Sequence, residues 1–347
     1  MKTNRDSLVQ ILSAVSPGLA RKDLLAQAQS FVFVGGEVIT CNDRVAVHHP
    51  LPPELKELHG AVKADETYRI LSRMEGDEVD VEMTISDEKV AGSSNALVLR
   101  TAKTKAEIKR DAEIKLKFQA IGTPEQWEKI PEGMLEALEF SAFCASTDLS
   151  KPLLCHLLIK GDEIAATDNH RVLLRKFKKA LKNTLLLPAR VVPELLAYAP
   201  VEVGVTQGWI HFRNEKGVTY SVRTIDGSYP DLHRFFVDIK GEEIVLPLDL
   251  CDGINRVREA LDRTADQPLI KVSTTGGVLM ATGEGPYATV KERYKIAFQG
   301  TLTFFVNADF LFDALKIADK YIVTDARIYL LGEKVGFRHF ICLAAPK

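Results

Sequence analysis

The segment "ATDNHRVLL", Ala166 to Leu174, gathers an aspartate, a histidine and an arginine within four positions, directly after an apolar run. On an extended strand Asp168 and His170 point the same way, two residues apart. Such a pair suits general acid–base work or two-thirds of a metal site, with Arg171 placed to hold a phosphate. That is the chemistry of a metal- or acid/base-dependent hydrolase. No third ligand lies nearby in sequence, and no HxxxH, DxD, GxSxG or P-loop accompanies it elsewhere. The same residues equally suit the wall of a site that holds a partner.

The rest of the chain bounds the choice. It has 347 residues, 46% hydrophobic and 27% charged, a composition that builds buried cores and argues against disorder as the main state. With 45 basic and 47 acidic side chains the net charge is -2, so a polyanion partner would have to meet basic residues gathered on one surface. The five cysteines (Cys41, Cys144, Cys155, Cys251, Cys342) form no CxxC pair, which points to a reducing compartment and excludes a zinc ribbon. The first twenty residues never build an uninterrupted apolar stretch, and no segment is long enough to cross a membrane. A cytoplasmic protein without membrane attachment is predicted.

One unit returns three times. "VKADETYRILSRM", "LPARVVPELLAYA" and "VNADFLFDALKIAD" each read as an alanine-initiated amphipathic helix leading into paired β segments. In the first, Tyr68, Leu71 and Met74 are spaced three apart as an apolar row. The starts at Ala64, Ala189 and Ala308 recur at roughly 120 residues, the length of a small domain. Upstream of each, a further helix ("DSLVQILSAV", "EGMLEALEFSAFCA", "LDLCDGINRVREALD") precedes a hairpin whose turn is Gly35-Gly36, Gly161-Asp162 or Gly276-Gly277. The expected class is α+β: three repeated domains, 1–120, 121–243 and 244–347, each with two helices packed on antiparallel sheets.

Two motifs then carry a specific resemblance. "AATDNHRVLL" resembles the Thr-Asp-Gly-His-Arg-Leu stretch of the bacterial β sliding clamps, the processivity factors of replicative DNA polymerases. "RTIDGSYPDLHRFF" is similar to the segment joining their second and third domains, and "FICLAAPK" stands where they end. The resemblance implies three clamp domains per subunit and a head-to-tail homodimeric ring around duplex DNA. It also implies a non-enzymatic role as a tether for the polymerase. Expected partners are duplex DNA, bound without regard to sequence, the replicative polymerase, clamp-loader subunits and other peptide-motif replication and repair proteins. No cofactor or metal is implied.

On that reading, DNA-facing cations would be Arg69 and Arg73, four apart on one helix face, and Lys316 and Lys320, which repeat the spacing. Arg256 and Arg263, seven apart, and Arg190 would join them. Arg5, Arg21, Lys22 and Lys151 would sit near the edge of the hole. The run "RKFKKALKN" reads as a solvated connection instead. The partner-peptide cleft would comprise Leu154, Thr167, Asn169, His170, Arg171, Val172, Val237, Ile341, Leu343, Ala344 and Ala345. The dimer interface would set Leu97 and Leu99, on an edge strand, against Ala260 and Leu261; the two leucines equally suit their own core. The family's glycine is Asn169 here, leaving the backbone less free to take positive φ. The tail "LAAPK" is smaller than the family's and less plastic, and Leu153 stands where an aromatic is common.

Overall fold

The computed structural model describes residues 1–22, 25–84, 95–262, 267–318, 320–332 and 336–345. Among the described residues, which are otherwise β-rich, six α-helices form: α1 (Arg5–Val15), α2 (Ala64–Arg73), α3 (Met134–Ala142), α4 (Val192–Ala197), α5 (Leu250–Arg258) and α6 (Ala308–Leu315). The alanine starts hold. Helical structure begins at Ala64 and Ala308, and a short 3-10 turn begins at Ala189 just before α4. α6 is set by Asn307, whose side chain accepts from the N–H groups of Asp309 (2.9 Å) and Phe310 (3.3 Å). α1 is capped the same way by Asn4 on Ser7.

Amphipathic spacing decides which faces are buried. α1 buries Leu8, Ile11, Leu12 and Val15 and packs on α2. α2 buries Ala64, Thr67 and Leu71, so Tyr68 lies on the shoulder of that stripe and is partly exposed, outside the apolar row expected for it. α5 and α6 pack together in the same manner, over a core that includes Leu250, Ile254, Val257, Leu311 and Leu315.

The described residues form two compact units, residues 1–130 with 191–226, and residues 131–190 with 227–347. The first holds a twelve-stranded antiparallel sheet, built from the strands of residues 2–111 together with Glu202–Thr206, Trp209–Arg213, Thr219–Arg223 and Glu128–Lys129. The second holds an eight-stranded sheet and a four-stranded sheet. The middle repeat therefore contributes strands to both units. Its first hairpin joins the eight-stranded sheet and its later strands join the twelve-stranded one. The expected hairpin turns are present, with Gly35 and Gly36 at φ 61° and 79° and Gly276 and Gly277 at 53° and 78°, the left-handed pair that a two-residue turn requires.

Sheet order corrects one expectation. Strand Ala96–Arg100 is not an edge: it pairs with Glu78–Thr84 on one side and Lys105–Asp111 on the other. Leu97 and Leu99, 2% and 1% exposed, fill their own core. Ala260 is buried too, and Leu261 packs against the core of its own unit. Open sides occur elsewhere. Among the described residues, Lys105–Lys109 have no partner on their outer side although Arg110 and Asp111 pair with Val62 and Ala61, and Thr289–Lys295, one of several sheet ends, pairs with Val278–Glu284 alone.

Each unit buries a neutral histidine. In the first, His211 is held between Ser221 Oγ and Thr206 Oγ1, both at 2.8 Å, and burial lowers its pKa to about 4. In the second, His339 is fully buried; its Nδ1–H donates to the Val172 carbonyl at 2.8 Å. Burial, with the nearby Arg171 charge, lowers its pKa to about 3. Both folded values lie below the unfolded value near 6.5, so the unfolded chain takes up protons that the folded chain refuses. Stability should be intact above pH 6.5 and fall as pH drops toward 4 and 3, by up to about 1.4 kcal/mol per pH unit per histidine. Urea midpoints measured from pH 7.5 to 4.5 check this. His339→Gln should flatten the slope while lowering the midpoint at neutral pH.

Candidate docking pocket and basic surfaces

The opening motif folds into a tight turn between strands Glu163–Thr167 and Arg171–Lys176. One Asp168 oxygen accepts from the backbone N–H of His170 (2.9 Å) and of Arg171 (3.0 Å), an Asx turn that needs no catalytic explanation. Asn169 takes φ 78°. The expected loss of freedom without glycine does not materialise, because asparagine is the side chain best suited to the left-handed region. Thr167 closes the turn through its hydroxyl on the Arg171 carbonyl at 2.7 Å.

Arg171 is buried, and its guanidinium is occupied within the chain. Nε donates to Asp168 (2.9 Å), one terminal nitrogen to Asp313 on α6 (2.9 Å), and the other to the Phe143 carbonyl after α3 (2.6 Å). Its flat face lies 4.3 Å from the Phe310 ring centroid and 5.1 Å from that of Phe143. Three directed bonds and two aromatic faces are what a planar five-donor group supplies and a point charge cannot. Arg171 thus braces the cleft instead of offering donors to a ligand. The hydrolase reading loses its parts here: Asp168 is spent on backbone and Arg171, and the His170 ring leans on Phe310 with centroids 6.2 Å apart. Among the described residues no three His, Cys, Asp or Glu side chains converge as metal ligands.

Beside the turn opens a cavity of about 400 Å³ lined by His170, Gln267, Leu269, Asn307, Phe310, Cys342, Leu343 and Ala344. His170, Leu343 and Ala344 were expected in a cleft. Gln267, Leu269, Asn307, Phe310 and Cys342 were not, although Asn307 and Phe310 stand in the "VNADF" start already singled out as a helix. Thr167, Val172 and Ile341 are buried beneath the surface and pair as strand neighbours. Leu154 is half-buried on the 3-10 turn Pro152–Cys155, and Asn169 and Ala345 are exposed. Val237 is 66% exposed and outside the apolar cluster. The connector residues that pack on Val172, Leu174 and Phe340 are Tyr229, Leu232, Phe235 and Phe236, since the 3-10 turn His233–Phe236 points both phenylalanines at the sheet.

The basic residues divide by partner. Arg69 and Arg73 are exposed on one side of α2, and Arg21 and Lys22 are exposed in the loop after α1. Lys151 is exposed on a loop, 3.8 Å from Asp148, and Arg190 is exposed on the turn before α4. Lys316 follows the last residue of α6 and lies 3.9 Å from the Phe312 ring centroid. Lys320 corrects an expectation: α6 ends at Leu315, so Lys320 begins strand Lys320–Val323 and shares no helix face with Lys316. Two further cations are already answered. Arg256 makes a bidentate pair with Glu292 at 2.7 and 2.9 Å. Arg5 donates to the Met74 carbonyl and Asp6, both at 2.6 Å, tying α1 to the end of α2. Arg263 lies outside the described residues. The lysine run after Arg175 is a connection anchored by Phe177 and Leu181 on the Gly161–Asp162 turn, with Lys178 paired to Glu132.

Compared with known proteins, the chain is 24% identical over 335 residues to the beta sliding clamp of Lactococcus lactis, covering 87% of this chain and 83% of that one. Among solved structures it superposes with a TM-score of 0.85 on a putative DNA polymerase III beta subunit from Eubacterium rectale, at 16% identity and 99% of each chain. The beta subunit from Streptococcus pyogenes gives 0.80 at 20% identity over 99% of each. The sliding clamp of Bacillus subtilis gives 0.83 at 16% over 100% and 99%. The chain has the beta sliding clamp fold. No protein-family model matches it.

Within that fold the Arg171 bracket joins the wall of the pocket to α6 and α3. Arg171→Lys should destabilise the chain by on the order of 2 kcal/mol, because one ammonium cannot satisfy all three acceptors. Thermal unfolding checks it, with His170→Ala as the comparison expected to be near neutral.

Proposed function

We propose that the chain is a DNA sliding clamp: it encircles duplex DNA without reading sequence and tethers the replicative DNA polymerase for processive synthesis. The observation that carries this is the clamp fold, at TM-scores of 0.80 to 0.85 over 99% of the chain. The role is mechanical rather than enzymatic, in the cytoplasm, with domains at 1–120, 121–243 and 244–347.

Electrostatics supports the reading. A chain of net charge -2 has no global pull on DNA, so attraction must come from local cations that touch phosphate and ignore base edges. Arg69, Arg73, Arg21, Lys22, Lys151, Arg190, Lys316 and Lys320 are exposed for that purpose. Arg256, neutralised by Glu292, and Arg5, held by Met74 and Asp6, contribute less. The pocket at His170 would take short linear peptides from the polymerase, clamp-loader subunits and other replication and repair proteins. An apolar anchor buried there gains about 25 cal/mol per Å².

Closure would be head-to-tail between two copies. The outer side of Lys105–Lys109 and the strand Thr289–Lys295 are open edges of the kind proteins cover by pairing.

The test is topological. Protein loaded on nicked circular DNA should be retained and should slide off on linearisation; equal retention on both forms would defeat the proposal. Arg69→Ala with Arg73→Ala should lower the salt slope of DNA binding by about one per residue, whatever the sequence. Arg256→Ala should change it less.

A further inference from the structure

One strongly charged segment has no part in the docking pocket. From Leu174 to Asn183 five of ten residues are basic and none is acidic, in a chain of net charge -2. Its backbone is pinned to its surroundings. The Lys176 N–H donates to the Gly336 carbonyl (2.8 Å), that of Phe177 to Asp162 (2.9 Å), that of Lys178 to Glu132 (3.2 Å) and that of Leu181 to Gly161 (2.9 Å). Phe177 and Leu181 are buried. Lys176, Lys178, Lys179 and Lys182 are therefore left exposed, and so is Lys160 on the adjoining hairpin. A loop held in this way has already met most of the ordering cost that a loose lysine tail would meet on binding.

Local carboxylates answer part of this charge. Lys178 pairs with Glu132. Glu163, whose side chain is 12% exposed, is engaged by His233 (2.9 Å) and Arg338 (3.4 Å), leaving Asp162 as the hairpin's remaining acid. Lys160, Lys176 and Lys179 make no ion pair among the described residues. The loop lies at the far end of the strand pair that forms the docking turn: Glu163 pairs with Lys176, and four residues further on Thr167 pairs with Val172. At about 3.3 Å per residue the two sites are on the order of 15 Å apart.

The composition of the patch selects its partner. The other exposed positions in the loop are Ala180, Asn183 and Thr184, and no large apolar side chain is exposed between Leu174 and Thr184. A protein interface or a membrane surface draws its hold from such an anchor. Phosphate does not. Lysine offers a compact charge with rotatable donors, which meets phosphate oxygens without a fixed geometry and without a base edge.

We propose that Lys160, Lys176 and Lys179 form a second contact for the phosphate backbone of duplex DNA, at the strand ends away from the docking pocket. This rests on the DNA-encircling reading above. Binding of the full chain to a linear duplex, measured between about 50 and 200 mM salt, tests it. A Lys176→Gln, Lys179→Gln chain should lose about two from the slope of log affinity against log salt. Lys56→Gln with Lys216→Gln, an equal charge change at exposed sites elsewhere, should leave the slope in place. Amine acylation read by mass spectrometry is an independent arm: duplex DNA should shield Lys160, Lys176 and Lys179 and leave Lys56 and Lys216 reactive. A loop variant whose slope falls no further than the comparison's, with no shielding of the loop lysines, would overturn this inference and leave the clamp reading standing. A loop variant that keeps its slope but no longer pellets with phosphatidylserine vesicles would overturn it in favour of a lipid surface. An unaltered chain that is not retained on nicked circular DNA would defeat the clamp reading and this contact with it.

Discussion

A buried guanidinium with three acceptors is the constraint on which the candidate site depends. Arg171 is 8% exposed, and a charge so placed is tolerable only when every neighbour answers it. Asp168 fixes it to its own turn, Asp313 to α6 and the Phe143 carbonyl to the end of α3. The two phenylalanine faces complete its solvation. Because Phe310 serves both as a face for Arg171 and as a wall of the His170 cavity, the pocket has its shape only while the bracket is made. A motif that looks catalytic by composition is thus structural at Asp168 and Arg171. Of Asp168, His170 and Arg171, His170 is the one left exposed.

The same accounting governs the cations. A basic residue attracts phosphate in proportion to what is not already neutralised nearby, and local carboxylates differ from one site to the next. Glu292 holds Arg256 in a bidentate grip, whereas α2 places its acidic residues, Asp65 and Glu66, in its first turn and Arg73 in its last. That arrangement suits the helix dipole and leaves the cationic end of α2 exposed. Sequence spacing treats Arg69 and Arg256 alike; geometry separates them.

Edges follow the same logic for backbone. A sheet strand with an open side either meets water or recruits another strand. Leu97 and Leu99 lie on a strand with neighbours on both sides, so their apolar character serves the core. Lys105–Lys109 and Thr289–Lys295 are among the segments with an open side, and their exposed faces are charged, so apolar character does not mark them.

Local rules were enough to place the helices at Ala64, Ala189 and Ala308 and the glycine turns. Capping, apolar period and left-handed glycine preference act over a few residues and are written directly in the chain. The α+β class, the repeat and the resemblance carried by "ATDNHRVLL" were legible for the same reason. Tertiary structure alone decided that Arg171 faces inward to Asp313, 142 residues away, that Phe235 and Phe236 displace Val237 from the apolar cluster, and that α6 stops before Lys320. It also decided that Gln267, Leu269 and Asn307 meet His170. Each of these depends on which distant partner satisfies a charge, fills a space or completes a ladder. No short-range pattern encodes that partner, because burial is a property of the packed whole.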